Sequence, residues 1–280
     1  MMNNFSKFIE SVLACTGGLW LGLEPYYFLT NTADEKITFF GFLSLSIVLA
    51  IIWFLINGFF FSGFLKNSLV IKSNGFDTKI HILFGDLFKQ DGWSMIAVNE
   101  YFDSKVDEKH VASNSLHGVM LSRYWAGNTE DFDKQVQTEL RAVKPLKSNS
   151  KSTKSGNTVK YPVGTTAAVN QGEQKFLCVV LTKTDPTTLK VSADSLALHK
   201  SLRGGLCKAR TICAGKPLNI PLIGSGIAGT GIKTNIIVDL ILLAIFEETK
   251  SQKITNEIRI ILPIQKKKDI DLVTLQKDWQ

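Results

Sequence analysis

Cysteine is scarce in this chain of 280 residues. The four cysteines, Cys15, Cys178, Cys207 and Cys213, form no CxxC pair, and Cys15 lies in an apolar segment. This pattern argues against a zinc site or a disulfide framework and suits a reducing compartment, although it leaves room for a single disulfide. We therefore predict no metal site. With 45% hydrophobic and 20% charged residues, the composition also excludes a disordered chain, a collagen and a disulfide miniprotein.

Charge is absent from residues 37–65, which read ITFFGFLSLSIVLAIIWFLINGFFFSGFL. About 20 apolar residues suffice to cross a bilayer, so this run predicts a transmembrane helix over about residues 37–62. Residues 11–23 are also uncharged and end at Glu24-Pro25, which predicts an earlier spanning helix over about 8–29. A signal peptide is the alternative, but its small-residue cleavage pattern is not evident. We expect a transmembrane hairpin over residues 1–65 and one soluble domain over 66–280.

Three small residues, Ala14, Gly18 and Gly22, recur every fourth position of the first predicted helix. Such a face lets another helix approach closely. The partner is either the second helix of the same chain or a helix of another protomer, and the sequence leaves both open.

Basic residues outnumber acidic ones by 32 to 25, and the surplus lies in the predicted soluble domain. A basic domain suggests an anionic partner: a phosphate ligand, a nucleic acid or lipid headgroups. Residues 144–160 are rich in Lys, Ser, Asn and Thr, which favours a mobile solvated loop. A lysine patch for nucleic acid or lipid is the alternative, but no aromatic residues are interleaved with the lysines.

Strand and helix patterns alternate after residue 78. Apolar alternation or continuous apolar runs predict strands at Ile80–Phe84, at Met95–Val98 and in KFLCVVLTK, LNIPLIG and IRIILPI. Periodic apolar positions predict helices over 129–143, opened by a capping Thr129, and over KTNIIVDLILLAIFEETKSQ. Asp239, Glu247 and Glu248 make the latter a buried helix rather than a third span. Residues 66–76 look like a short connection. The predicted fold class is α/β, a three-layer architecture in which helices cover both faces of one sheet.

Three predicted strand ends carry the polar or glycine-rich residues that a phosphate ligand needs. They are Gly85-Asp86, Asn99 with the loop to Gly118, and the run Gly224–Gly231 before a helix. Glycines allow close approach of the backbone to a phosphate, and the following helix presents its N-terminal dipole. The run lacks the lysine of a P-loop and comes too late for a dinucleotide-binding turn. Tight chain reversal without any ligand remains the alternative.

In this order the motifs resemble the macro domain family, which binds ADP-ribose and related nucleotides. ILFGDLF resembles the family's strand and Gly-Asp turn at adenine, IAVNEYFD the strand ending in Asn near the distal ribose, and IPLIGSGIAGTG the phosphate loop. YPVGTTAAV occupies the place of the Gly-Thr strand. The resemblance covers most of residues 78–262. It implies a macro-like mixed sheet and these ligand-binding residues: Gly85, Asp86, Leu87, Asn99, Ser115, His117, Gly118, Gly224, Ser225, Gly226, Ile227, Ala228, Gly229 and Thr230.

Each singled-out side chain also has a structural explanation. Asp86 can accept from the adenine amino group or cap a helix, and Asn99 can bond a ribose hydroxyl or satisfy a turn. His117 is the best candidate for a base or a specificity contact, yet an isolated histidine is more often structural. We therefore predict ligand binding and no catalytic residue.

Two N-terminal membrane helices joined to FGDLF, SLHG and PLIGSG resemble, more narrowly, the membrane effectors of bacterial Thoeris antiphage systems. The resemblance implies a TIR-domain partner enzyme that makes an ADP-ribose-derived signal, and damage to membrane lipid. We further expect a multi-pass protein of the bacterial inner membrane with its soluble domain in the cytoplasm, a homo-oligomer, no cofactor beyond this ligand and no nucleic acid. The glycine-poor first loop, NEYFDSKVDEKHVASNSLHG, disfavours the alternative of a membrane-tethered ADP-ribosyl hydrolase.

We predict that both ends of the chain are cytoplasmic, because Lys7 precedes the helices and Lys66, Lys72 and Lys79 follow them. In intact cells, an external thiol reagent should label Thr32→Cys and spare Val70→Cys. Labelling of Val70→Cys alone would contradict this topology.

Overall fold

The computed structural model describes residues 4–30, 37–72, 77–126, 128–146, 156–185, 187–226 and 230–279. These residues form two compact units. The helical unit comprises Met1–Asn67 and Asp271–Trp279, and the sheet domain comprises Ser68–Ile270. The boundary lies two residues from the predicted division, but the C-terminal segment groups with the helical unit, which the sequence did not suggest.

The helical unit contains two antiparallel N-terminal helices, α1 (Asn4–Thr30) and α2 (Phe39–Ile56). Phe8 packs edge-on against Phe54, and Trp20 against Phe42, so opposite ends of the two helices meet. A π-helical segment continues α2 to Phe61. The helices are thus close to their predicted ranges, and residues 31–36 between them lie outside the described residues.

Membrane-spanning character differs between these two helices. Among the described residues one helix, Phe39–Phe61, is long and apolar enough to cross a bilayer. Thr38 begins it, its Oγ1 accepting from the N–H of Gly41 at 3.2 Å. Lys7, Glu10 and Glu24 all lie within α1, so its membrane span stays a prediction.

The small-residue face of α1 is not packed against α2. A Cβ built on Gly18 or Gly22 would meet nothing within 4 Å. Both glycines instead border an open apolar groove that α2 residues such as Leu49 and Trp53 complete. Same-chain packing at these glycines is therefore not what the structure shows, and contact between protomers stays a prediction.

The segment that follows α2 contacts a helix that the sequence patterns did not predict, α7 (Leu272–Trp279). Lys66 Nζ donates to Gln276 Oε1 at 3.1 Å, and a Cβ at Gly63 would overlap the Val273 side chain. The C-terminal helix is thus held to the segment that follows α2.

An eight-stranded mixed sheet forms the centre of the sheet domain. Its order is β1-β2-β8-β7-β3-β5-β4, with β6 paired to β5. Strands β2, β8, β7, β3 and β5 run parallel, while β1, β4 and β6 are antiparallel to their neighbours. The strands are β1 (Ser68–Lys72), β2 (Lys79–Phe84), β3 (Trp93–Asn99), β4 (Thr166–Gln171), β5 (Gln174–Thr184), β6 (Val191–Ser192), β7 (Leu218–Pro221) and β8 (Glu257–Leu262).

Helices cover both faces of this sheet. On one face, the core joins Ile96 of β3 and Phe176 of β5 to residues of α3 (Leu116–Met120) and α4 (Glu130–Glu139). On the other, Met95 of β3 meets Gly205 of α5 (Ser195–Ile212), which also packs against α6 (Thr234–Ser251). The continuous apolar runs are buried on both sides for this reason, and the predicted three-layer architecture is confirmed.

Several predicted elements need correction. Residues 66–76 include β1, an edge strand whose short alternation was read as a connection. Helix α4 ends at Glu139 rather than 143, and Thr129 provides no side-chain cap because its backbone is helical rather than extended. Strand β7 stops at Pro221, since Leu222 and Ile223 already turn. Most of the predicted loop at 144–160 lies outside the described residues.

One close backbone contact generates a prediction about stability. A Cβ at Gly204 of α5 would overlap the carbonyl oxygen of Gly164, which has φ +90°. Ala improves an exposed helix by about 1 kcal/mol, but overpacking costs roughly 1–3 kcal/mol, and a rigid backbone oxygen cannot yield easily. Gly204→Ala should therefore lower the free energy of unfolding, measured by urea titration of the detergent-solubilised protein.

Gly226→Ala is the matched control, since a Cβ there meets nothing within 4 Å and its stability should stay near that of the wild type. A Gly204→Ala variant more stable than the wild type would contradict the importance of this contact.

Candidate functional site

A cavity of about 660 Å³ opens where the five parallel strands end. Its walls include Gly85–Phe88 after β2, Ala97–Asn99 of β3, Leu181–Thr182 of β5, Pro221–Gly226 at β7, and Ile261 with residues 263–265 at β8. All these residues belong to the sheet domain. Because parallel strands bring their carboxyl ends to one edge, five separate chain segments converge on one site.

Nine of the predicted ligand residues line this cavity: Gly85, Asp86, Leu87, Asn99, Ser115, His117, Gly224, Ser225 and Gly226. Gly118 and Thr230 do not border it, and Ile227, Ala228 and Gly229 lie outside the described residues. The roles of all these residues in ligand binding stay predictions. For the described ones, the structure shows the hydrogen bonds that they make within the protein.

The Gly85-Asp86 turn connects β2 to a single turn of 3₁₀ helix, Leu87–Lys89. The Gly85 N–H donates to the Leu262 carbonyl at 2.9 Å, which joins the turn to the end of β8. Asp86 is exposed, and its Oδ1 accepts from the N–H of Phe88 at 2.9 Å. Helix capping therefore occupies one oxygen of Asp86, so any adenine contact would have to coexist with the cap.

Asn99 is buried at the end of β3, and turn backbone uses its side chain. Its Oδ1 accepts from the N–H groups of Tyr101 at 3.2 Å and Asp103 at 3.1 Å. Its Nδ2 donates to Asp103 Oδ2 at 2.9 Å. The structural explanation of Asn99 thus holds, and a ribose contact stays a prediction.

The glycine loop after β7 is closed by short-range hydrogen bonds. Ser225 Oγ donates to the Leu222 carbonyl at 2.8 Å, and the Thr230 N–H donates to the Gly224 carbonyl at 3.1 Å. Gly224 needs its glycine because its φ is +87°. Gly226 shows no such φ and faces open space, so backbone conformation requires glycine at Gly224, whereas the protein itself would accommodate a side chain at Gly226.

The segment Ser115–Gly118 starts the short helix α3. Ser115 Oγ accepts from the Gly118 N–H at 2.9 Å and donates to the Ala112 carbonyl at 2.7 Å. A Cβ at Gly118 would overlap that same carbonyl, so packing explains this glycine. His117 is only 5% exposed, with its ring 6.0 Å from that of Phe132. Its Nε2 is shielded from solvent and has no partner among the described residues.

The family comparison agrees with this geometry. Residues 80–263 match the model of the family described as "Thoeris protein ThsA, Macro domain". The chain belongs to this family.

Relatives of the macro domain include Thoeris protein ThsA of Bacillus amyloliquefaciens (strain Y2), which is 26% identical over 167 residues. That match covers 58% of this chain and 52% of the relative, so the chain spans about half of the relative's length.

Solved structures show the same fold. Two point mutants of the Oceanobacillus iheyensis macrodomain are similar with TM-scores of 0.52 and 0.51, at 12% and 13% identity. They cover 76% of this chain, and 96% and 97% of their own chains are matched. A further mutant, solved with ADPR, has a TM-score of 0.50.

Several parts of the macro domain's cavity were not predicted. Phe88 and Arg123 border it, with the guanidinium of Arg123 5.9 Å from the Phe88 ring centroid. His110 also lines it and bonds Asp107 through Nδ1, at 2.9 Å from Oδ2. Residues 263–265 follow β8, so the strand-end rule applied to this last strand would have found them. No sequence pattern indicates that Arg123 would border the cavity.

The burial of His117 predicts a pH-dependent stability. Burial lowers the pKa of His117 to about 4. Since an unfolded histidine titrates near pH 6.5, the unfolded chain binds this proton first as the pH falls. The free energy of unfolding should therefore drop between pH 6.5 and pH 4, by up to roughly 3 kcal/mol from this residue.

Denaturant titrations across that pH range should show that the free energy of unfolding depends less steeply on pH in His117→Leu than in the wild type. The partly exposed His199 offers a control, and His199→Gln should retain most of the dependence of stability on pH. Equal slopes for His117→Leu and the wild type would show that His117 is not the group responsible.

Proposed function

We propose that this protein is a membrane-anchored effector of Thoeris-type antiphage defence. In this proposal a TIR-domain enzyme makes an ADP-ribose-derived signal, the macro domain binds it, and the helical unit then disrupts the membrane. The observation that carries the proposal is the cavity at five converging strand ends, in the same chain as the apolar helix Phe39–Phe61.

The cavity's size and chemistry support a nucleotide ligand. A volume of about 660 Å³ lies within the usual range for small-molecule sites. Gly226 leaves open space for a phosphate, and the exposed carboxylate of Asp86 can accept from an amino group at another wall. Apolar residues such as Val98, Leu181 and Ile261 also line the cavity, as an adenine ring favours.

ADP-ribosyl hydrolysis is the alternative, and one observation favours it. Asp107 holds His110 Nδ1 at a wall of the cavity, an arrangement that orients an imidazole for proton transfer. Binding without hydrolysis is the better-supported proposal because other polar groups of the cavity hold turns and helix ends. Asn99 bonds Asp103, and Ser115 caps α3.

The proposal predicts nucleotide-dependent leakage from liposomes that carry the full-length protein. Dye release should require the product that a TIR-domain enzyme makes from NAD, added on the side of the macro domain. Chromatography should then recover that product unchanged. Gly226→Val should weaken binding by roughly 100-fold, because its side chain displaces phosphate hydrogen bonds of about 1 kcal/mol each. Leakage should disappear with it.

Two further variants separate the steps. A Gly18→Leu/Gly22→Leu variant should bind the nucleotide normally but release no dye, because it fills the small-residue face. His110→Ala distinguishes the alternatives: loss of nucleotide by the wild type, abolished in His110→Ala, would establish the hydrolase and overturn the sensor. Leakage that persists in Gly226→Val would separate membrane damage from this cavity.

A further inference from the structure

Helix α6 has an apolar stripe in addition to the face that packs in the core. Its buried face includes Ile237, Ile241 and Ile245. On another side of the helix, Ile236 is 45% exposed, Leu243 is 41% exposed and Leu240 is partly buried. Large apolar side chains aligned on a surface mark an interaction site more often than isolated ones do.

The spacing of this stripe is that of a helix-pairing seam. From Ile236 the positions advance by four to Leu240, by three to Leu243 and by four to Glu247. A spacing that alternates between three and four residues keeps side chains along one line of an α-helix and lets two helices interlock.

The charges at the two ends of the stripe are opposite. Lys233 lies immediately before the helix, seven residues ahead of Leu240, and Glu247 lies seven residues after it. Both are exposed. Each charge also stands at the helix end that the macrodipole disfavours, so each would gain from an opposite charge supplied from outside.

We propose that this stripe is a self-association surface, on which α6 of one copy packs antiparallel against α6 of a second copy. A two-fold axis through Leu240 places Lys233 of each copy opposite Glu247 of the other and brings Ile236 close to Leu243. One surface thus supplies both halves of the interface, as a two-fold dimer requires. Residues Thr234–Ser251 provide enough turns for all of these contacts.

Existing contacts leave Glu247 available for this pairing. Its Oε2 lies 3.3 Å from His199 Nε2, yet its side chain remains 43% exposed. A lipid surface is the less suitable occupant, because the charges at and around the stripe balance, Lys233 and Lys250 against Asp239 and Glu247, and give anionic headgroups no net attraction. Anchoring in a common membrane favours two copies, since it raises their effective concentration.

Disulfide cross-linking of the full-length chain in membrane vesicles tests the arrangement. In a Cys15→Ala/Cys207→Ser background, the Leu240→Cys variant carries its thiol at the two-fold axis and should form a cross-linked dimer under mild oxidation. Asn235→Cys is the matched control. Asn235 is exposed on the same helix but points about 100° away from its neighbour Ile236 in the stripe. Both variants are measured without ligand and with added ADP-ribose. The proposal is overturned if Leu240→Cys cross-links no more than Asn235→Cys in both conditions.

Charge reversal tests the direction of pairing. Lys233→Glu and Glu247→Lys each place like charges together twice per dimer and should each lower cross-linking of Leu240→Cys by roughly fivefold. The double variant recreates both pairs with the signs exchanged and should restore it. Failure of restoration, with thermal melting showing both single variants folded, would overturn the antiparallel arrangement. Lipid-dependent shielding of the thiol in Leu240→Cys without cross-linking would instead identify a membrane contact and overturn the proposal.

Discussion

The site depends on one constraint, the parallel direction of β2, β8, β7, β3 and β5. Parallel strands end on the same edge of a sheet, and the chain must return across a face before starting the next one. The returning helices cover both faces, so Met95 and Ile96, which lie on opposite faces of the sheet, are both buried. The same parallel direction brings the carboxyl ends of five strands around one cavity.

Polar residues that line the cavity first satisfy the backbone. Asp86 caps a 3₁₀ turn, Asn99 bonds the turn that follows it, and Ser115 caps α3. Buried backbone groups need such partners, because an unmade hydrogen bond costs about 1–3 kcal/mol. The resulting loops are held before any ligand arrives, so a nucleotide would meet walls whose shape is already set, at a lower entropic cost of binding.

Long buried elements were predictable, and short or edge elements were not. Strand β5 is buried along nearly its whole length, so KFLCVVLTK predicted it directly. Strand β1 has only five residues with one side exposed, which resembles a connection until β2 pairs with it. Helix α5 went unpredicted: it has buried leucines, but Gly204 and Gly205 interrupt its pattern. Those glycines make sense only beside Gly164 and Met95.

For the site, the sequence by itself determined which loops are glycine-rich or polar at strand ends, because turn chemistry is local. It also determined the apolar helix Phe39–Phe61, since about twenty uncharged residues need no tertiary partner to be recognised. Only the tertiary structure decided that Arg123 and residues 263–265 join the same cavity, that His117 is buried, and that Gly224 rather than Gly226 has a positive φ. These properties depend on neighbours distant in the chain, which no local pattern of residues encodes.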